Sequence, residues 1–320
     1  MYSIRTLMLN YKTLIKPVIN TYKKLSSFGK IMVILVLFLI LMYFFRPKRE
    51  GFSISVDEFT FKSGNVQVYD DFYADIYDHL VYNNVKNNYE IKEVVNNTKP
   101  TEESIILDIG SGTGHHVAEL ASMNFKVKGV DISTDMVNKA RELYPDLDFV
   151  TGDVTQAGAF KPQTYTHILC LYFTIYYLKN KLQFFKNCFN WLMPGGYLVV
   201  HLVDPNMFDP ILPPSNPLLL LTPQRYAKER ITNSKVTFDN FKYSSNFELD
   251  PSTNEAKFIE KFENRENGKV FRKNEHLMYM EPADNILSLA QEAGFIVNQK
   301  IDLIKSGYEY NFLYVLLKPQ

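Results

Sequence analysis

Between residues 105 and 154 three short apolar runs each end in an acid. Ile105 to Leu107 lead into Asp108, Val127 to Val130 into Asp131, and Leu147 to Thr151 into Gly152 and Asp153. The first run is followed at once by Gly110, Ser111, Gly112, Thr113 and Gly114, and then by a helical stretch from His115 to Met123. Glycines at a strand-to-helix junction let the backbone turn tightly and bring its amides against a ligand at the helix start. A carboxylate some twenty residues on, at the end of the second strand, can accept both hydroxyls of a ribose, and an acid ending the third can take the exocyclic amino group of an adenine. The alternative for each is a solvated turn acid. The spacing is D-x-G-x-G-x-G, with His115 where the nicotinamide-binding pattern needs its last glycine.

The motifs ILDIGSGTGHH, GVDIS, FVTGDV, HILCLYFTIYYL and LMPGGYLVVHLV occur in that order. Together they resemble the class I S-adenosylmethionine-dependent methyltransferases of the small-molecule type, over about residues 66 to 318. The resemblance implies a Rossmann-like seven-stranded α/β sheet flanked by helices, with S-adenosylmethionine as cofactor. It implies that Asp108, Gly110, Gly112 and Gly114 border the methionine part, Asp131 the ribose, and Ile132, Met136, Asp153 and Val154 the adenine. Upstream, the segment from Tyr69 to Asp78 resembles a YD-x-x-A-x-x-YD helix that covers the cofactor, implying contacts from Tyr73. Tyr69, Tyr73 and Tyr77 fall at helical spacing and would share one face. One departure is Tyr165, Thr166, His167, Ile168, where the family often has F-D-x-I.

Tyr172, Phe173, Thr174, Ile175, Tyr176 and Tyr177 follow the fourth strand, at the carboxyl edge where open α/β sheets bind ligands. Aromatic walls there suit a sulfonium cation and exclude water, so Tyr172 is read as a cofactor contact and Tyr177 as a candidate catalytic residue. His201, ending strand five beside Asp204, is a candidate base. His115 and His116 are adjacent on one helical turn and point apart, so they make no metal pair, and no metal is expected.

The elements around these residues alternate strand and helix at the pace of a βαβ sheet. Pro205 to Met280 is too long for a loop. Its polar and aromatic runs, Val236 to Leu249, Glu255 to Arg265 and Val270 to Met280, read as an antiparallel β lid inserted over residues 205–280. A helix from Glu281 to Ala293, capped by Gly294, then precedes strands over Ile296 to Ile304 and Tyr308 to Leu317. The methyltransferase domain is set at residues 66–320 and a linker at 46–65.

Ile31 through Phe45 is an unbroken apolar run between Lys30 and Arg46, Lys48 and Arg49. It reads as a transmembrane or membrane-inserted anchor helix over 31–45, about 22 Å long and therefore tight for a ~30 Å hydrocarbon core. Leu7, Tyr11, Leu14, Ile15, Val18, Tyr22 and Leu25, with lysines between them, form a basic amphipathic stripe within residues 1–30. The flanking charges, Lys16, Lys23, Lys24 and Lys30 against Arg46, Lys48 and Arg49, decide little about orientation. A single-pass or monotopic protein with a cytosolic catalytic domain is expected.

The net charge of zero hides nine bases against one acid in residues 1–50, and 26 bases against 34 acids beyond them. An acidic domain lacks the basic surface that polyanions need, so nucleic acid is disfavoured as a partner. Two cysteines, Cys170 and Cys188, inside apolar stretches make no disulfide framework. The reading is a membrane-anchored S-adenosylmethionine-dependent methyltransferase acting on a small-molecule or protein acceptor, with a lipid membrane as partner. A membrane-tethered binding or scaffold protein without turnover is the alternative.

Overall fold

The computed structural model describes residues 21–44, 58–210 and 228–320. The stripe from Leu7 to Val18, the basic flank at Arg46, Lys48 and Arg49, and the apolar run Leu218 to Leu221 lie outside the described residues. The chain divides into two compact units, Met1–Ser53 and Ile54–Gln320.

The first unit holds helix α1 (Ser27–Phe44). Apolar residues run around its whole circumference from Ile31 onward, and Ile31, Ile34, Leu35, Leu37 and Phe38 are all exposed. Its 18 residues reach about 27 Å at 1.5 Å per residue, short of a ~30 Å hydrocarbon core. Among the described residues no helix is long and apolar enough to cross a membrane. The expected apolar run is helical as far as Phe44, and its last residue, Phe45, lies outside the described residues.

The second unit opens with β1 (Thr60–Ser63), α2 (Asn65–Val68), α3 (Asp71–Val81) and α4 (Asn84–Thr98). The alternating core follows, with β2 (Ile105–Ile109), α5 (His115–Ser122), β3 (Lys126–Asp131), α6 (Thr134–Leu143) and β4 (Asp148–Thr151). Then come β5 (Tyr165–Cys170), a 3-10 turn (Thr174–Tyr177), α7 (Lys181–Trp191) and β6 (Leu192–Val203). After the insertion, β7 (Asn233–Thr237), β8 (Phe241–Asp250), β9 (Glu255–Asn264) and β10 (Val270–Tyr279) lead to α8 (Ala283–Glu292), β11 (Ile296–Asp302) and β12 (Asn311–Leu317).

Seven strands form the main sheet in the order β11-β12-β6-β5-β2-β3-β4. The four pairings among β4, β3, β2, β5 and β6 are parallel, and β12 and β11 close the edge antiparallel. Parallel strands are covered on both faces, which is why β2 and β5 read as apolar runs without alternation. Strand order reverses between β2 and β5, so the loops after Ile109 and Cys170 open a crevice at one carboxyl edge. Side-chain caps fix the entries of the helices beside it: Asp70 accepts from the Tyr73 amide, Ser133 from Met136 and Asn180 from Gln183.

The lid is a second sheet, ordered β1-β10-β9-β8-β7. The run Val236 to Leu249, expected as one strand, is a hairpin that turns at Phe238 to Asn240. Thr60–Ser63, within the stretch read as linker, adds in parallel to the edge of β10. Four residues without clear alternation carry too little pattern to announce a strand. Alternation is clear on β8, where Phe241, Tyr243, Ser245 and Phe247 face inward.

Two buried cations tie the lid to the helices beside the main sheet. Arg272 donates to Asp70 at 2.9 Å, to the Val68 carbonyl at 3.0 Å and to Asn274 at 2.8 Å. Lys181, on α7, donates to the carbonyls of Leu178 and Tyr279 at 3.0 and 2.8 Å and to Glu281 at 2.7 Å. Replacing Lys181 with Met leaves those acceptors unpaired, and urea unfolding should show a loss of about 2–3 kcal/mol. A loss under about 1 kcal/mol would mean that water replaces the ammonium.

Candidate functional site

The glycine loop is docked on the end of β3 by its own backbone. Gly110 and Ser111 donate to the Val130 carbonyl at 2.8 and 3.1 Å, and Gly112 donates to Asp131 Oδ2 at 3.0 Å. Asp131 Oδ1 accepts from the Ser133 amide at 2.9 Å, so one carboxylate joins the loop to the start of α6. Burial pushes the Asp131 carboxyl up, and these amides offset part of that rise. Gly110 has φ +71° and a Cβ there would overlap the Thr174 side chain; at Gly114, φ +90°, it would come within 2.6 Å of Phe149. At both positions the left-handed backbone and the close approach demand glycine.

The loop forms one wall of an open cleft. Tyr77, Tyr82, Lys86, Glu90, His116 and Tyr172 are among the residues lining the other walls. Lys86 Nζ donates to Glu90 Oε1 at 2.6 Å and lies 4.7 Å above the Tyr172 ring; His116 pairs with Glu90 Oε2 at 3.3 Å. Burial alone would raise the Glu90 carboxyl, but Lys86 and His116 more than offset it and hold it at about 2. Beneath the loop the reverse holds: Asp108 is 1% exposed and burial pushes it up to about 6. Asp108 Oδ2 and Ser111 Oγ are buried polar atoms without a partner among the described residues. Unsatisfied acceptors under a glycine loop, beside a lysine and carboxylate pair, fit a ligand that brings both an ammonium and a carboxylate.

His115 lies outside that arrangement. Its Nε2 is 2.8 Å from Asp78 and its Nδ1 2.7 Å from the Tyr144 hydroxyl, with Tyr82 stacked at 3.8 Å. Among the described residues there is no cluster of three or more His, Cys, Asp or Glu able to hold a metal ion.

Residues 106–196 match the profile of a methyltransferase domain. This stretch of the chain is thus similar to a methyltransferase domain. The chain is 28% identical over 149 residues to a demethylmenaquinone methyltransferase of Chlorobaculum parvum, covering 45% of this chain and 58% of that one. It is 34% identical over 101 residues to a trans-aconitate 2-methyltransferase of Afipia carboxidovorans, covering 31% and 38%. The chain thus spans about half the length, or less, of these curated relatives. In fold it is similar to the CcbJ methyltransferase of Streptomyces caelestis, with a TM-score of 0.61 at 18% identity over 80% of this chain and all of that one. A second similar fold is that of DesVI of Streptomyces venezuelae, with a TM-score of 0.54 at 19% identity, covering 78% and 98%.

Within the methyltransferase domain the expected cofactor residues fall into three groups. Gly110, Gly112 and Tyr172 line the cleft; Asp108 lies beneath it, and Gly114 caps α5. Asp131 joins the loop, and Met136 reaches it too, since a Cβ on Gly112 would meet Met136 at 3.6 Å and Tyr77 at 3.7 Å. Ile132 is 44% exposed and Val154 is buried. Asp153 is committed to its own turn, accepting from the Thr155 amide and hydroxyl and from Gln156. Tyr172 takes a left-handed φ of 54°, a strained value for an aromatic residue at the end of β5.

Three expected residues stand differently. Tyr73 is buried and its hydroxyl donates to Glu260 of the lid, not into the cleft. Tyr177 is not among the residues lining the cleft, and its hydroxyl is engaged by Tyr69 and His276, each at 2.9 Å, in a buried network under the lid. His201 is fully buried on β6, bonded to Asn311 at 3.0 Å, and does not line the cleft. Burial, with Lys86 nearby, lowers it to about 4, so it is a weak base. Tyr69 precedes α3 rather than belonging to it, because Asp70 caps that helix, yet its ring still meets Tyr73 and Tyr77 at 5.3 and 6.2 Å.

Asp108 makes a pH test. Its folded value lies above the ordinary carboxyl value, so it favours the folded state while protonated, and that stability is lost as pH rises from about 4 through about 6. Melts at pH 4 and pH 8 should show wild type losing up to about 3 kcal/mol more than Asp108→Asn across that interval. Equal losses would place Asp108 in contact with water.

Proposed function

We propose that this chain transfers the methyl group of S-adenosylmethionine to a small-molecule acceptor held between the glycine loop and the lid. The observation that carries the reading is the Asp131 carboxylate bonded to the Gly112 amide at the switch point of the sheet, above unsatisfied Asp108 and Ser111. Asp131 would take the ribose hydroxyls, Ile132 and Met136 the adenine faces, and Glu90, Lys86 and Ser111 the methionine end. The cofactor supplies an electrophilic methyl group. The protein lowers the barrier by aligning donor and acceptor and by keeping water out, for which the rings of Tyr77 and Tyr172 are suited. Small-molecule acceptors are favoured because the relatives are named for quinone, aconitate and amino-sugar substrates.

Calorimetry should find S-adenosylmethionine binding in the micromolar range, and Asp131→Ala should weaken it by about 1–3 kcal/mol. Absence of binding by the wild-type chain would sink the reading.

The anchoring of the protein is part of the same proposal. A helix that is apolar all round has no face to give to water, and α1, at 18 residues, suits shallow insertion with both basic flanks on one side of the lipid. The methyltransferase domain would then face the cytosol, where the buried free thiols of Cys170 and Cys188 stay reduced. The full chain should float with anionic vesicles while a chain starting after Arg49 should not; equal behaviour of the two would assign α1 to protein packing. Glycan on Asn96 in cells would place the domain in the lumen instead.

A further inference from the structure

Side chains directly opposite one another on neighbouring strands interact, and there opposite charges are favoured while like charges repel. The outer face of the lid follows this rule in two rows. Lys242 of β8 stands opposite Glu263 of β9 and bonds to it at 2.9 Å, and Glu248 of β8 stands opposite Lys257 of β9. A row between these two breaks it. Lys273 of β10 stands directly opposite Lys261 of β9, Lys261 opposite Ser244 of β8, and Ser244 opposite Lys235 of β7. At the other end Phe61 of β1 stands opposite Lys273, so the row crosses all five strands without an acid.

Lys235 and Lys261 are exposed, and the half-buried Lys273 lies 5.5 Å over the Phe61 ring. Among the described residues none of the three makes an ion pair. Of the acids in the flanking rows, Glu263 is bonded to Lys242, with Lys235 adding a weaker attraction, and Glu275 stands between Ser63 and Ile259. Like charges meet once more at the hairpin end, where Asp250 faces Glu255, but that Asp250 carboxylate is taken by its own turn, accepting the Ser252 amide and hydroxyl. The lysine row has no such local outlet. At its margin Phe61 is 50% exposed and Phe59, two residues earlier on the same face, 60%. Single apolar residues on a surface are ordinary, but two phenyl rings at the end of a row of unpaired ammonium groups form the mixed pattern of an interfacial surface.

We infer that the outer face of the lid docks on an anionic lipid surface, with Lys235, Lys261 and Lys273 meeting the headgroup anions and the rings of Phe59 and Phe61 entering the headgroup layer. The inference rests on the anchoring reading of α1 above. Strands about 4.8 Å apart spread the three cations over roughly 14 Å, a footprint that several lipid headgroups fill together. A nucleic acid would also meet a row of cations, but it offers nothing to α1, and the 26 bases against 34 acids beyond residue 50 oppose it. A lipid surface takes both the helix and the row.

A lysine at an anionic surface adds roughly five-fold to partitioning, so three add on the order of 100-fold. That is less than one acyl chain contributes, itself a marginal anchor, which is why a chain without α1 does not float by the lid alone. With α1 in the lipid, docking becomes an intramolecular event, and the same factor is enough to hold the lid down.

The test uses the full chain with a polarity-sensitive dye on Ser63→Cys, on the exposed face beside Phe61; the thiols of Cys170 and Cys188 are buried and stay unlabelled. Mixed phosphatidylcholine and phosphatidylserine vesicles should shift the dye emission to the blue, and phosphatidylcholine alone should not. Lys235→Gln, Lys261→Gln and Lys273→Gln together should abolish the shift and weaken binding to the mixed vesicles by roughly 10- to 100-fold, while an unchanged thermal melt reports that the variant is folded. A chain that floats with the mixed vesicles but shows no shift would overturn lid docking and leave the anchoring reading standing. A shift kept by the lysine variant would overturn the role of the row. A shift produced by duplex DNA at the same salt, and not by vesicles, would overturn lipid as the occupant. A chain that floats with neither kind of vesicle would overturn the anchoring reading itself, and the docking with it.

Discussion

A carboxylate shut away from water must have its lone pairs filled by donors or it will not stay charged, and in this protein that demand falls on Glu260. The donors that meet it come from α3, from β8 and from β10, so Tyr73, Tyr243, Asn274 and His276 are brought to one point from three elements. Asn274 also accepts from Arg272, whose other nitrogens hold Asp70 and Val68, the cap and the turn before α3. The position of the helix over the cleft and the position of the lid are thus set by a single buried charge. Replacing one donor leaves the charge short of a partner, whereas the apolar face of an ordinary lid could slide with little penalty.

Three more carboxylates near the cleft show how far surroundings decide the behaviour of like groups. Glu90 has a lysine and is held strongly acidic; Asp108 has burial and an unfilled oxygen and is held weakly so. Asp131 is committed to backbone amides, which is why it can shape the loop as well as face a ligand. The positive φ values of Gly110 and Gly114 are the backbone counterpart of the same economy of space, since Thr174 and Phe149 fill the volumes that side chains would need.

Much of the main sheet could be read from residues 105 to 203, because each strand is a short apolar run closed by an acid or glycine and each helix begins at a turn signal. The loop and Asp131 were legible for the same reason: their spacing is local. The other half of the site was not. Lys86 and Glu90 stand i, i+4 on a helix whose sequence, NVKNNYEIKEVV, looks solvated, yet both side chains are buried. In the buried network under the lid, His276 and Glu260 come from strands about a hundred residues beyond Tyr177, and only pairing registers bring them together. The available signal was the inward parity of polar residues on β10. His201 misled because a histidine at a strand end suggests a base, while the neighbouring strand β12 closes over it and supplies Asn311.

Lys181 places Tyr177 and His276 in an unexpected relation. Its ammonium holds the carbonyl of Leu178, the residue after Tyr177, and the carbonyl of Tyr279, three residues after His276. Two parts located separately on a scaffold accumulate the errors of every piece between them, but two parts gauged from a common datum do not. The one ammonium therefore ties the backbone beside the hydroxyl and the backbone beyond the imidazole to a common point.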